Sequence, residues 1–211
     1  MKKTVCAIAI VSLLALNTNA QRTTFGIKGG IQNNLIHLKE KSGDEWSRAS
    51  YTGSGFHIGG VADIAVTDHF SIQPNLLFSM KGVRPSSLTE ITLYTIDIPV
   101  NFLYRSNGFF AGLGPNLSYG ISAKQENDVT PDNDLYEGDG GDPAEFNRFE
   151  FGVNTMLGYQ FNCGVGLNAF WTPGFSNLNN DDDADESRYN TRIYGLSISY
   201  MFGGNKAAKK K

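Results

Sequence analysis

The sequence has few cysteines, no excess of positive charge and no second long apolar run. Two cysteines occur among 211 residues, and Cys6 lies in an N-terminal apolar segment that we expect to be removed, so Cys163 has no partner for an internal disulfide. The formal net charge of −3 argues against a nucleic-acid partner, because such proteins present a basic face. After the N-terminal segment, no run approaches the ~20 apolar residues of a membrane-spanning helix. Phosphate loops, zinc-ligand spacings and cysteine clusters are also missing, so we expect no cofactor and no metal.

The N-terminus has the pattern of a secretory signal. Lys2 and Lys3 precede an apolar run over 5–16, and small or polar residues follow up to Ala20. We predict a signal peptide over 1–20, cleaved after Ala20; a retained N-terminal anchor is the alternative. Losing the two lysines takes the formal charge from −3 to −5. About 190 residues then remain, the size of one domain.

A two-residue period is the dominant feature of the rest of the chain. From Phe149 to Phe161 every odd position is apolar, aromatic or threonine, and the even positions are mostly polar or glycine. This pattern predicts a strand with one apolar and one polar face. Seven further segments alternate in the same way: 25–34, 56–66, 70–81, 94–104, 109–121, 165–173 and 192–202.

The connections between these segments alternate between short and long. Short turns fall at 67–69, 106–108 and 162–164, whereas roughly 20 residues join the first two segments and about 25 join the fifth to the sixth. This rhythm predicts an all-β fold over 21–203, an eight-stranded antiparallel up-and-down transmembrane β-barrel with short periplasmic turns and long external loops. A soluble β-sandwich gives no reason for turns to gather on one side. A lipocalin-like barrel would turn its apolar face inward.

One segment supports a family resemblance. The residues Ile96-Asp97-Ile98-Pro99-Val100 resemble the Tyr-x-acidic-Ile-Pro-Leu strand of an outer-membrane β-barrel family that includes PorT-like proteins. The opening segment at 25–31 resembles the Gly-x-Lys-x-Gly first strand of that family, and the last segment resembles the signal read by barrel-assembly machinery, although a tail follows it. The resemblance implies an eight-stranded barrel in the outer membrane. Its PorT branch is linked to protein secretion and gliding.

Five charged residues fall on the predicted inner face. Because an unpaired charge in a narrow lumen is costly, we expect them to form a structural network of paired charges, with a proton or ion path as the alternative. They are Lys28, Asp63, Lys81, Asp97 and Glu150.

Outside the segments, charge is concentrated in two acidic loops and a basic tail. The acidic runs at 128–142 and 181–186 are expected to be solvated, because neither fits a twelve-residue calcium loop. The Lys-rich tail at 204–211 is interpreted as a flexible end, with contact to anionic lipid or a periplasmic partner as the alternative. His37, His57 and His69 are scattered and no nucleophile elbow is present, so we predict no catalytic site.

The sequence therefore predicts an exported barrel of the Gram-negative cell envelope that acts as a structural or interaction scaffold and presents external loops. Transport of a small solute or a PorT-like role in secretion is the second hypothesis, and a lipid-modifying enzyme is the third. We expect contacts with the lipid bilayer and lipopolysaccharide, with barrel-assembly machinery during insertion, and with other envelope proteins.

Overall fold

The computed structural model describes residues 22–42, 45–86, 89–127, 133–134, 136, 147–177 and 187–202. Among these residues no helix is long and apolar enough to cross a membrane. The predicted signal peptide and its cleavage site, most of both acidic loops and the predicted Lys-rich tail lie outside the described residues.

The described chain is built from strands. Their bounds are β1 Thr23–Ser42, β2 Glu45–Ala65, β3 Phe70–Ser86, β4 Thr89–Ser106, β5 Phe109–Asn127, β6 Asn133–Asp134, β7 Phe149–Gln160, β8 Val165–Pro173 and β9 Ser187–Met201.

Eight of these strands close into a barrel in which every pairing is antiparallel. The hydrogen-bonded order is β4-β3-β2-β1-β9-β8-β7-β5, and β4 also pairs with β5, which closes the circle. The two-residue β6 pairs with the outer end of β5 at Lys124 and Gln125, beyond the last β5–β7 pair. Because the barrel is closed, no strand within the membrane leaves an edge of unpaired backbone N–H and C=O groups. A sheet can span lipid only in this closed form. The predicted fold class is confirmed.

The alternation of faces is also confirmed. In β7 the burial alternates strictly from Phe149 to Met156, with Glu150, Gly152, Asn154 and Met156 inside. In β3 and β4, Ser79, Asp97 and Asn101 are buried, while Leu76 and Phe102 are more than half exposed. A residue exposed on the outside of a membrane barrel faces lipid, so this exposure is the expected state of the apolar face.

The strands extend further than the apolar alternation predicts. The connection of roughly 20 residues expected between the first two segments is wrong as a loop, because β1 and β2 remain paired up to Ser42 and Glu45. His37, which falls within the expected connection, lies within β1, and its Nδ1 is 2.8 Å from Ser50 Oγ. β3 likewise continues to Ser86, and β4 already begins at Thr89. In this part of β1 the apolar Ile36 faces inward and the polar His37 faces outward, so the apolar-outward period ends although the backbone pairing does not.

The short turns have the geometry that their residues predict. Asn107 and Gly108 have positive φ values of 50° and 86°, as a tight two-residue hairpin turn requires. A Cβ added at Gly108 would lie 2.8 Å from the Tyr159 ring, so the turn also packs closely against β7.

Aromatic side chains ring the outer surface near the turns. Phe70 meets Tyr104 with ring centroids 5.2 Å apart, and Tyr159 lies 4.8 Å from Phe109 and 4.9 Å from Phe161. Towards the opposite end, further outward-facing rings pair: Phe78 with Tyr94, and Tyr119 with Phe149. Two aromatic girdles around an apolar band are typical of outer-membrane barrels.

Candidate functional site: the barrel lumen

The lumen is divided into three layers by the side chains that point inward. An apolar cluster, which we call the inner cluster, lies towards the short turns, and a second, the outer cluster, lies towards the long connections. Polar and charged side chains occupy the space between them. The short turns mark the periplasmic end of the fold, so the inner cluster faces the periplasm and the outer cluster the exterior.

The inner cluster consists of Leu103, Phe110 and Met156, with Phe170 packed against them. Leu103 is fully buried. A Cβ at Gly112 would lie 2.2 Å from a Leu103 methyl carbon, so the glycine leaves the space that the leucine fills. The interior of a close-packed cluster excludes water, so this layer closes the periplasmic end of the lumen.

Arg105 lies beneath the inner cluster at the periplasmic rim. Its guanidinium forms an ion pair with Asp63, and its Nε donates a hydrogen bond of 3.1 Å to Ser71 Oγ. The guanidinium carbon is also 5.2 Å from the centroid of the Phe110 ring. Arg105 thus ties β2, β3 and β4 to the apolar layer above them. Arg105 and Asp97 are both at odd positions of β4, so the alternation places Arg105 on the inner face. The predicted segment, 94–104, ended one residue before it.

An ion pair stands in the polar layer between β3 and β4. Lys81 Nζ donates a hydrogen bond of 3.0 Å to Asp97 Oδ1, and Thr95 Oγ1 donates a second one of 3.1 Å to the same oxygen. Both charged side chains are buried. A buried carboxylate needs compensating hydrogen bonds, and Asp97 accepts charge-assisted ones from two donors.

The other predicted lumen charges have different surroundings. Asp63 pairs with Arg105, a residue outside the predicted set. Lys28 and Glu150 are both buried, and neither makes an ion pair within the part of the chain that the structure describes. The structure thus brings Lys81 and Asp97 into direct contact. The action of all five residues as one stabilising network stays a prediction.

A chain of hydrogen bonds crosses the lumen through His57. Its Nε2 lies 2.9 Å from Ser197 Oγ and its Nδ1 lies 3.1 Å from Gln32 Oε1. Gln32 Nε2 then donates to Asn34 Oδ1, and Asn34 Nδ2 donates to the carbonyl of Gly82. The chain joins four neighbouring strands, β3, β2, β1 and β9, of which only β9 is distant in the sequence. The alternation located His57 inside the barrel without indicating its partners.

The order Ser–His–Gln in this chain has the connectivity of a nucleophile, a base and an orienting group. However, both Ser197 and His57 are buried within the barrel wall and lumen. The cavity beside His57 has a volume of about 30 Å³. A space of that size accommodates a few water molecules at most, and an acyl substrate does not fit. These hydrogen bonds link side chains of β9, β2 and β1.

The central cavity lies in the polar layer of the lumen. Lys28, Gln32, His57 and Asp97 form its charged and polar wall, and Phe170 contributes an apolar part. The remaining lining residues are Leu77, Ser79, Pro99, Asn116, Asn154, Thr172 and Ile193. An eight-stranded barrel leaves little room once its inward side chains are in place.

The outer cluster closes the other end. Ile36, Val83, Leu93 and Ala123 point inward from four strands, and Tyr136 enters from the connection between β5 and β7. An irregularity in the β4–β5 register at Tyr94 and Thr95 brings Ala123 to the inner face. The alternation predicted a polar inner face, and the interior is polar in the middle but apolar at both ends. Tyr136 lies in no alternating segment, so periodicity gave no signal for it.

A known protein family matches most of this chain. Residues 17–180 match the family described as outer membrane protein beta-barrel domain. The chain belongs to this family. The match covers most of the barrel, and membership supports a location in the outer membrane, with the exposed apolar band in the lipid bilayer. The resemblance to outer-membrane barrels is thus confirmed at the level of the family.

Solved structures of other outer-membrane proteins are similar to this chain at low sequence identity. Neisserial surface protein A is 15% identical, with 82% of this chain and 97% of that chain covered and a TM-score of 0.50. OprG from Pseudomonas aeruginosa is 13% identical over 87% of this chain and 98% of that one, with a TM-score of 0.39. Ail, the attachment invasion locus protein of Yersinia pestis, is 13% identical over 82% and 98%, with a TM-score of 0.34. A search of curated proteins found no match.

Proposed function

We propose that this barrel is an outer-membrane anchor and interaction scaffold that presents its external strands and connections to other molecules of the envelope or the exterior. The observation that carries the proposal is the lumen, which is filled by apolar clusters at both ends and leaves a central cavity of about 30 Å³. A pore needs a continuous wet path, and this interior has none among the described residues.

The external strand extensions are the second support. β1 and β2 continue as a paired hairpin through 35–42 and 45–52, and the outer part of β9 stays paired with β1. These residues lie beyond the apolar band, so they form an ordered platform outside the lipid. A rigid barrel beneath an ordered platform suits the presentation of a binding surface.

Planar-bilayer recording tests the scaffold against transport. The purified barrel is expected to show no stable conductance, because both end clusters exclude water. A porin-sized conductance in the wild type would reject the scaffold and favour transport of a small solute. A matched recording on Asp68→Ala, which removes an exposed carboxylate in a short turn, controls for currents caused by impurities.

Capture from intact outer membranes tests the interaction role directly. We compare the wild type with a chain in which 181–186 is replaced by glycine and serine, and with Ser118→Cys, a lumen change. A partner captured by the wild type and by Ser118→Cys but lost on replacement of 181–186 supports the role of the external connections. Capture that depends on the lumen residue instead would contradict it.

A PorT-like role in protein secretion is the second proposal, and it rests on the motif in β4. Asp97, the acidic residue of that motif, points into the lumen and holds Lys81, while Pro99 lines the central cavity. Loss of protein secretion on deletion of the chain, restored by the wild type, would support this role. Unchanged secretion after the deletion would contradict this role.

We also propose the export and assembly steps that the sequence indicates: cleavage after Ala20, insertion by barrel-assembly machinery, and contact with lipopolysaccharide at the outer girdle. Mass spectrometry of the N-terminus of protein purified from outer membranes tests the cleavage, with Gln21 as the expected first residue.

Catalysis is not part of the proposal, since Ser197 and His57 are buried beside a cavity too small for a substrate. Labelling of Ser197 by a fluorophosphonate would contradict that view.

A further inference from the structure

Lys28 is a buried lysine of β1 that lacks a partner of opposite charge. Only 6% of its surface is exposed, and it lines the central cavity of the lumen. Across the described part of the chain, its ammonium group makes neither an ion pair nor a hydrogen bond. An ammonium group has three N–H donors, and burying it without acceptors is costly. A ligand that brings negative charge to the cavity would lower that cost.

The carboxylate in the cavity wall already has its counter-charge. Asp97 is the one carboxylate among the described residues that line the cavity, and it accepts a hydrogen bond of 3.0 Å from Lys81 Nζ. His57, the remaining titratable group of the wall, adds either no charge or a positive one. When Lys81 is counted with its partner, the surroundings of the cavity carry an excess of positive charge, which is that of Lys28.

The other two inward carboxylates do not compensate Lys28. Asp63 is held in an ion pair by Arg105 at the periplasmic rim. Glu150 lies on β7, which β8 and β9 separate from β1, and an ideal Cβ at Gly174 would lie 2.3 Å from its Oε1. Neither carboxylate belongs to the described residues that line the cavity. The negative charge that Lys28 needs is therefore absent from its own wall.

The cavity has the size of a small ion. Its volume is about 30 Å³, whereas one water molecule needs roughly 10–15 Å³ in a measure of this kind. A halide ion is slightly larger than a water molecule, so it fits with a water beside it. A sugar acid such as gluconate is far too large. A divalent anion would bring more negative charge than one ammonium group compensates, so the site favours a monovalent ion.

A second donor lines the same space. Asn116 is buried in the cavity wall, and its Nδ2 donates one hydrogen bond of 3.1 Å to Ser118 Oγ. A side-chain amide has two N–H donors, so one is left for a ligand. Leu77, Phe170 and Ile193 form an apolar part of the wall. Such low-polarity surroundings strengthen the attraction between an ammonium group and an anion.

We propose that the central cavity is a binding site for one small monovalent anion, with the Lys28 ammonium group as its counter-charge and the Asn116 amide as a second donor. Chloride is the abundant anion of this class. Because the two apolar clusters close the lumen, the ion enters while the barrel closes or opens locally, and it is then retained. It acts as an internal component that stabilises the folded barrel, and it is not a transported solute.

Bromide locates the site, because it substitutes for chloride and scatters X-rays anomalously. The barrel is refolded in detergent and crystallised in sodium bromide, and data are collected at the bromine absorption edge. We expect an anomalous peak in the cavity, within hydrogen-bond distance of Lys28 Nζ and Asn116 Nδ2. Lys28→Met keeps an unbranched side chain without the charge and should lose the peak. Replacing a buried charge by an apolar residue is often tolerated, so this variant is expected to fold.

Unfolding titrations measure binding without a crystal. A ligand that binds only the folded state lowers the unfolding equilibrium constant about tenfold for each tenfold rise in its concentration above the dissociation constant. Urea titrations in lipid vesicles compare sodium chloride with sodium gluconate at equal ionic strength, which keeps charge screening constant. The wild type and the turn variant Asp68→Ala should respond to chloride, and Lys28→Met should not. Asn116→Leu should need a higher chloride concentration for the same response.

Three results would overturn the anion site. The first is a wild-type cavity that holds water and gives no anomalous peak in bromide. The second is an equal chloride response in Lys28→Met, which would place the effect outside the cavity. The third is a bromide peak without any chloride response of the wild type, which would be an adventitious ion only. If Lys28→Met fails to fold, the wild-type bromide map and the response of Asn116→Leu still decide.

Discussion

Lys81 and Asp97 are joined diagonally across β3 and β4. Lys81 is paired with Leu93 in the strand register, and Asp97 with Leu77, yet Lys81 Nζ reaches Asp97 Oδ1 at 3.0 Å. The long lysine side chain therefore runs along the lumen to its partner. It fills space that an eight-stranded barrel must fill with side chains, and it brings a compensating charge to the buried carboxylate.

Asp97→Ala should destabilise the barrel, because it leaves Lys81 as a buried charge without its partner. We expect a loss of about 3–5 kcal/mol in the free energy of unfolding, measured by urea titration in lipid vesicles. Asp68→Ala, which removes an exposed carboxylate in a short turn, is the control and should change little. Equal losses in the two variants would show that the pair adds nothing to stability.

Ile98→Arg tests the assignment of the outer face. Ile98 lies between the outward rings of Tyr94 and Tyr104, near the middle of the apolar band. Arginine at the bilayer midplane of a barrel costs about 2–4 kcal/mol, whereas near the interface it costs about 0–1 kcal/mol. Val66→Arg, beside a short turn, is the matched interfacial variant. If both arginines cost the same in a vesicle unfolding titration, Ile98 does not face the centre of the membrane.

Leu103→Ala should create a cavity in the inner cluster. Leu103 is fully buried beside Phe110, and truncation of a buried leucine costs about 2–5 kcal/mol. Leu113→Ala, on the lipid-facing side of β5, should cost less because lipid chains refill the space. Thermal unfolding followed by circular dichroism compares the two. A smaller loss for Leu103→Ala would mean that this cluster is loosely packed.

Gly108→Ala should strain the turn between β4 and β5. Gly108 has φ of 86°, and an added Cβ would meet the Tyr159 ring at 2.8 Å. A left-handed backbone conformation costs an alanine about 1–2 kcal/mol, before the contact with the ring is counted. Asn107→Gly, at the neighbouring positive-φ position, should be nearly neutral. Unfolding titrations that rank the two variants in the reverse order would contradict the assigned turn geometry.

The inner and outer faces of the strands were predictable from the sequence. Phe149 to Phe161 and the other alternating segments have a period of two, which separates the two faces of each strand, and the apolar face lies outward where lipid surrounds the barrel. Asn107-Gly108 similarly predicts its turn, because only a few residue types tolerate positive φ. The outer parts of β1 and β2 were missed, since there the inward-facing Ile36 is apolar and the outward-facing His37 is polar, which interrupts the apolar-outward period.

The contacts inside the lumen required the tertiary structure. Periodicity placed His57, Lys81 and Asp97 on the inner face, but which inward side chains meet depends on the stagger of strands that are far apart in sequence. The contact between Tyr136 and Gly120 depends on a connection folding back into the mouth, for which no local pattern exists. The sequence by itself determined the class of fold and the face on which each strand residue lies, because these follow from backbone geometry and the lipid. The tertiary structure decided which side chains pair and what closes the lumen, because these follow from register and packing.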